Sequence, residues 1–279
     1  MPVPALRSTV LVAVMMLGGG ALVGRASAQV PSLPAEPAPG VSLALRVDAL
    51  FKEGRHRESL DLLRPHLGHA PSDYTAWVLA GRAALVLGYG ASEPDSTKAW
   101  LHRAMAWGDS ARALDPRGED GRYVTLAATG RLALVEGQLE QARLAKDIER
   151  EALELLAIDS LHAGAHNALG RLYFEIARLP RIKRFVARPW LGGDLIGRAS
   201  WTSAERHLRR AVELQPKRNF HHVDLGRLLL VRGRRDDARR ELRKALDVPL
   251  ETPEQEGFRE EARRLLDKLG SQVGQGSGP

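Results

Sequence analysis

The chain has 279 residues, of which 44% are apolar and only 5% aromatic, and 41 Lys and Arg stand against 34 Asp and Glu for a formal charge of +7. Strands collect β-branched and aromatic residues, so a composition led by Leu, Ala and Arg disfavours a sheet fold and favours helices. Cysteine is absent, which excludes disulfides, thiolate metal sites and cysteine nucleophiles.

At the N-terminus, Arg7 precedes the apolar run VLVAVMMLGGGALVG at 10–24, and RASAQ follows with the small-residue cleavage pattern Ala26-Ser27-Ala28. A spanning helix needs about 20 apolar residues, more than this run supplies. Residues 1–28 are therefore expected to be a secretory signal peptide, and the mature chain to be exported, periplasmic or extracellular. Residues 29–41, with VPSLPAEPAPG, form an expected Pro-rich linker. The folded domain is expected over 42–270.

A ladder of helix pairs follows. The first unit carries Leu50, Gly54, Leu63 and Pro71, and the second Trp77, Gly81, Ala84, Gly88, Ala104, Ala111 and Pro116 with an insertion. A looser third unit has Leu126, Gly130, Ala133 and Gly137, with Ser160 where proline would stand. The fourth carries Leu169, Gly170, Tyr173, Ala204, Leu208, Ala211 and Pro216, interrupted at 181–200, and the fifth Leu225, Gly226, Gly233, Ala238, Leu242, Ala245 and Pro249. This spacing resembles the tetratricopeptide repeat. The predicted fold is all-α: a right-handed superhelical tetratricopeptide-like array of about five helix-turn-helix units, closed by a C-terminal capping helix.

Gly-Arg recurs inside four of the helices, at 81–82, 130–131, 170–171 and 226–227. A helical glycine costs about 1 kcal/mol relative to alanine, so its recurrence points to a place where helices approach closely. The arginine that follows is expected on an exposed face, with its stem over neighbouring side chains.

The interruption in the fourth unit carries Arg181, Lys183, Arg184 and Arg188 beside Phe185, Val186, Trp190 and Leu191. Such a basic amphipathic element either folds back over a groove edge or contacts a partner, or a membrane surface through residues 181–196. Near the end, Thr252 as N-cap, Pro253 at the first helical position and Gln255 completing a capping box predict a last helix that stops at Gly270. Residues 271–279 are expected to be a disordered tail.

A narrower likeness covers roughly residues 152–269, from LAIDSLHAGAHNALGRLYFEIARL through LGGDLIGRASWTSAERHLRRAVELQP to HHVDLGRLLLVRGRRDDARRELRKALDVP. It resembles bacterial relatives of the regulator of microtubule dynamics family, whose repeat is likewise interrupted before a Ser-rich entry to the next helix. The resemblance implies a helical adaptor without an established catalytic centre. Microtubule association is not carried over to an exported chain.

Catalytic patterns are weak. His162 and His166 stand four apart, a metal-holding spacing, but no HExxH glutamate accompanies them. His166 and His222 fall where the repeat often carries an aromatic, so packing is the expected role. GYGAS at 88–92 lacks a preceding strand and a P-loop Lys-Ser pair, and reads as an interhelix turn. No basic face interleaved with aromatics indicates nucleic acid. The function expected is an exported, non-catalytic scaffold that holds a protein or peptide along its concave face, with no cofactor and no metal; the alternative is an accessory ligand-binding component of an uptake or envelope complex. Groove or rim residues are expected to be Trp77, Arg82, Arg131, His166, Arg171, His222 and Arg227, with Phe185 and Trp190 on the insertion.

Overall fold

The computed structural model describes the backbone of residues 42–274 and the side chains of 42–270. The expected signal peptide at 1–28, the linker at 29–41 and residues 275–279 of the expected tail lie outside the described residues. Five helix pairs follow in order: α1 (Leu43–Lys52) with α2 (His56–His69), α3 (Tyr74–Gly90) with α4 (Pro94–Leu114), and α5 (Glu119–Leu132) with α6 (Gln138–Ile158). Next come α7 (Ala163–Ala177) with α10 (Trp201–Leu214), separated by α8 (Arg181–Leu191) and α9 (Gly193–Arg198), and then α11 (Asn219–Val231) with α12 (Arg235–Asp247). A 3-10 turn, Pro253–Gln255, leads into α13 (Glu256–Gly274), and no strand occurs among the described residues.

Local chemistry starts and stops these helices. Ser42, Asp73 and Ser200 cap α1, α3 and α10 by accepting from the backbone N–H three residues on, which satisfies a donor the helix itself cannot. The expected insertion in the second unit lengthens α3 and α4 to 17 and 21 residues. At the C-terminus the capping box takes another form: Thr252 makes no side-chain cap, and the Gln255 side chain accepts from the Glu251 N–H at 2.6 Å. The last helix then continues to Gly274. Gly270 has open space around it and no terminating conformation, so nothing stops the helix there.

Leucine and alanine alternate through the core. Leu63, Leu101, Leu169, Leu208 and Leu242 are fully buried, and so are Ala104, Ala204 and Ala238 between them. Each buried leucine contributes about 1.5–3 kcal/mol, and each alanine lets two helix axes come together.

A side chain near the start of α3, α5, α7 and α11 fixes the register. Trp77 Nε1–H donates to the Pro71 carbonyl (2.8 Å), Arg122 to Pro116 (3.0 Å), His166 Nε2 bonds Ser160 (3.1 Å) and His222 Nε2 bonds Pro216 (2.9 Å). Each clamps the turn six residues before it. Four residues further on lies the crossing with the second helix. A Cβ at Gly170 would come within 2.6 Å of Leu208 Cγ, one at Gly226 within 2.8 Å of Leu242, and one at Gly81 within 2.7 Å of Val124 on the next first helix. Closer backbones are the reason for these glycines.

Gly130 breaks this rule and corrects the sequence reading. Counting four from the Arg122 clamp places Leu126, fully buried, at the crossing, and Gly130 one turn later with nothing within 4 Å of its missing side chain. In the third unit the close approach moves to Gly108 and Gly121, where α4 meets α5.

First helices pack on one another along the array, α1 on α3, α3 on α5, α5 on α7, α7 on α11 and α11 on α13, whereas second helices pack on first helices. The array therefore curves with its first helices on the inside. The curve brings its two ends into contact. His56, 5% exposed at the start of α2, hydrogen-bonds the Glu254 carboxylate ahead of α13, and Pro253 sits against Gly54.

Candidate functional site

The inner face is read most directly from where its arginines reach. The Arg82 guanidinium lies 5.5 Å from the Phe51 ring of α1, and Arg131 lies 5.2 Å from the Tyr89 ring of α3. Arg171 of α7 approaches Asp224 of α11 at 3.7 Å. Arg227 of α11 donates to Glu261 of α13 at 2.9 Å and to Asp224 at 3.1 Å. Every one bridges neighbouring first helices, which places all four on the concave side.

They differ in how free they are. Arg227 is fully paired and is a structural tie. Arg171 keeps a loose pairing and stands 43% exposed. Neither Arg82 nor Arg131 has a carboxylate partner among the described residues, and the Arg131 Nε is buried without a hydrogen bond. Burial holds the Arg131 guanidinium below its ordinary value, the signature of a cation placed without an internal counter-ion. Glu175, one turn beyond Arg171, is pushed up to about 7 by burial, against the lowering influence of Arg178, Arg171 and Arg227.

Tyrosines complete the face. Tyr89, 41% exposed, follows Arg82 by seven residues and so shares its side of α3. Sequence reading missed it because GYGAS looked like a turn, whereas α3 runs on to Gly90. Tyr123 packs against His162 at 5.0 Å, and burial pushes its phenol up to about 12.

Three expected groove residues are placed elsewhere. Trp77, His166 and His222 are the turn clamps described above. His166 also bonds His207 through the two Nδ1 atoms at 2.9 Å, and His222 Nδ1 bonds Glu241 at 2.8 Å, so neither ring faces the groove with a free nitrogen. Arg122, a fourth clamp, escaped notice because an arginine stands where the pattern offers aromatics. Phe185 and Trp190 lie on α8, which packs against α6 on the outside of the curve, apart from the inner face.

His162 and His166 are not arranged as a pair of ligands, since His162 Nδ1 accepts from the Ala165 N–H and caps α7. Among the described residues no group of three His, Asp or Glu side chains could hold a metal ion. A charged cleft of about 500 Å³ opens between α4, α5 and α6. Its charges are already matched, with Arg112 on Glu151 (3.0 Å), Arg122 on Glu154 (3.0 Å) and Arg150 on Glu151 (3.1 Å).

This geometry is that of a tetratricopeptide-like helical repeat. A thermophilic tetratricopeptide repeat protein of Thermus thermophilus is similar over 80% of this chain and 96% of its own, at 21% identity and a TM-score of 0.55. A MamA RS-1 double mutant is similar over 74% of this chain and 92% of its own, at 17% identity and a TM-score of 0.43. No curated protein matches the chain. The family model described as regulator of microtubule dynamics protein 1-3 matches residues 43–270. With the repeat and its interruption inside that match, the chain belongs to the regulator of microtubule dynamics protein 1-3 family.

Proposed function

We propose that the protein is a non-catalytic scaffold of the cell envelope that holds an acidic segment of a partner protein against its inner face. The observation that carries this reading is the pair of uncommitted cations, Arg82 and Arg131, beside the half-exposed Arg171 and Tyr89. Arginine with an adjacent aromatic is the pairing that dominates interface energetics, and a guanidinium fork suits a carboxylate better than any other side chain does. Export rests on the cleavage pattern at 26–28, and N-terminal sequencing of the protein from an envelope fraction is expected to start at Gln29.

The test compares the wild type with Arg82→Ala/Arg131→Ala in crosslinking capture from that fraction, with thermal melting alongside. A partner lost with the double variant while the melt is unchanged supports the reading. Loss of either arginine is expected to weaken the complex by about 30-fold, as a hot-spot residue costs about 2 kcal/mol, and loss of both by on the order of 1,000-fold where the two act independently. Equal capture by both proteins removes the inner face from the interaction.

A second reading, a small acidic ligand as the occupant, is favoured by the contact of Gly54 and His56 with Pro253 and Glu254, which narrows entry for a chain. A thermal upshift with a dicarboxylate in the absence of any protein would select it.

A further inference from the structure

Helix α8 has two apolar sides. One is used: Ala187 and Leu191 are buried around a small apolar cavity shared with Ala142, Ala145, Leu172 and Ile176 of α6 and α7. The other faces solvent. Ile182 is 78% exposed, Phe185 75%, Trp190 45% and Val186 37%. At 3.6 residues per turn these four fall within an arc of about 140° whose centre lies opposite Ala187 and Leu191, with Trp190 at the edge, where its ring also lines the cavity.

Cations border that arc on both edges. Arg181 and Arg188 flank it on one side and Lys183 on the other, by the same helical spacing. Helix α8 contains no acidic residue, and none of these three cations pairs with a carboxylate among the described residues. Elsewhere the arrangement is different. On α12, Arg239 pairs with Asp236 and Lys244 with Glu241 one turn apart. Arg184 turns inward, donating to the Ile196 and Ala199 carbonyls at 3.3 and 3.2 Å, and so fixes α8 to the end of α9.

We propose that α8 is an interfacial helix, which lays Ile182, Phe185 and Trp190 into the headgroup layer of a bilayer carrying anionic phospholipid while Arg181, Lys183 and Arg188 meet the phosphates. The exposed apolar arc with cations on both edges and no acidic residue on the helix matches an anionic bilayer surface, which attracts each added cation and takes the apolar side chains below the headgroups. Arginine and lysine stems lie along apolar surface with their heads at the water boundary, and tryptophan settles at that same depth. The site lies on the outside of the curve, so a docked protein would keep its inner face open. The exposed face of α8 is separate from the proposed partner site.

The absence of cysteine allows a clean test on the full chain. Val186→Cys labelled with an environment-sensitive dye reads this face alone, whatever the apolar run at 10–24 does in the same vesicles. The emission is expected to shift to the blue on vesicles of phosphatidylglycerol mixed with phosphatidylcholine and to stay unshifted on phosphatidylcholine alone. A label at Asp236→Cys on α12 is expected to stay wet on both. Adding Lys183→Gln and Arg188→Gln to the Val186 reporter should weaken the dye response about fivefold for each cation removed. An unshifted dye on anionic vesicles, or an equal shift on neutral ones, overturns the proposal. So does a dye that stays wet on lipid but shifts on a captured protein partner, which would make α8 a protein-docking face.

Discussion

A single dipeptide separates two kinds of glycine. Gly170 and Gly130 both precede arginine inside a first helix, yet a methyl group at 170 would press on Leu208, its backbone nitrogen included at 2.9 Å, while one at 130 meets open space. Gly170→Ala is therefore expected to destabilise the protein by about 1–3 kcal/mol through overpacking. Gly130→Ala should stabilise it by up to about 1 kcal/mol through helix propensity. Urea titration of the two variants checks both signs, and two equal shifts would refute the crossing argument. Sequence alone could not tell these residues apart, because the register depends on a clamp, Arg122, that does not look like its aromatic and histidine equivalents. Buried histidine supplies a second prediction at this scale. His221 is fully buried with both ring nitrogens unpartnered, and burial lowers it to about 3 from an ordinary 6.5. Between those values the unfolded chain holds a proton that the fold refuses, so stability is present above about pH 6.5 and drains away as pH falls. His221→Leu should recover on the order of 2 kcal/mol near pH 5 and flatten the melting profile. His207, lowered to about 4 by burial, keeps a residual slope.

Among the elements, the insertion shows how a departure from the repeat is held in place. Gly192, at φ +84°, allows the chain to turn from α8 into α9, a backbone region that side chains rarely occupy. Arg198 at the end of α9 then grips Glu149 of α6 with both arms of its guanidinium, at 2.8 and 2.7 Å, and Tyr173 donates to the same carboxylate at 2.9 Å. Glu149 is buried, so removing its cation leaves a poorly compensated charge. Arg198 is half exposed, so Arg198→Ala is expected to cost about 1–3 kcal/mol and to make residues 181–198 the first site of limited proteolysis. Cleavage unchanged in rate and position would show that the apolar docking of Ala187 and Leu191 suffices. The insertion's existence and amphipathic character were legible in sequence, as were the five pairs, because Gly, Ala and Pro recur at fixed intervals. Its division into two helices was not, since the anchor joins residues far apart in the chain.

For the molecule as a whole, the curvature of the array matters more than any one repeat. Sequence periodicity speaks of neighbouring units, and so it indicates stacked pairs and a capping helix but is silent on whether the first unit meets the last. The inner arginines were legible as a recurring position, although Arg131 reached the face from a different register, and Tyr89 came to light only with the true end of α3. The closing contact has its own electrostatics: burial would raise the Glu254 carboxyl, but hydrogen bonds led by His56 outweigh it and hold the group below its usual range. Stability from this contact is thus present above the ordinary carboxylate range and is lost as pH falls through it. Glu254→Ala is expected to weaken the joint without disturbing helix content, and circular dichroism at neutral pH checks the second half of that statement.

An open stack of repeats loosens from either end independently, as a chain of nearest-neighbour couplings. Contact between Gly54 and Pro253 turns that chain of couplings into a loop, in which no unit is terminal. Amide hydrogen exchange should then report α1, α2 and α13 as one cooperative opening unit despite their separation in sequence. In Glu254→Ala the same amides should split into two populations that exchange at different rates, as two free ends would.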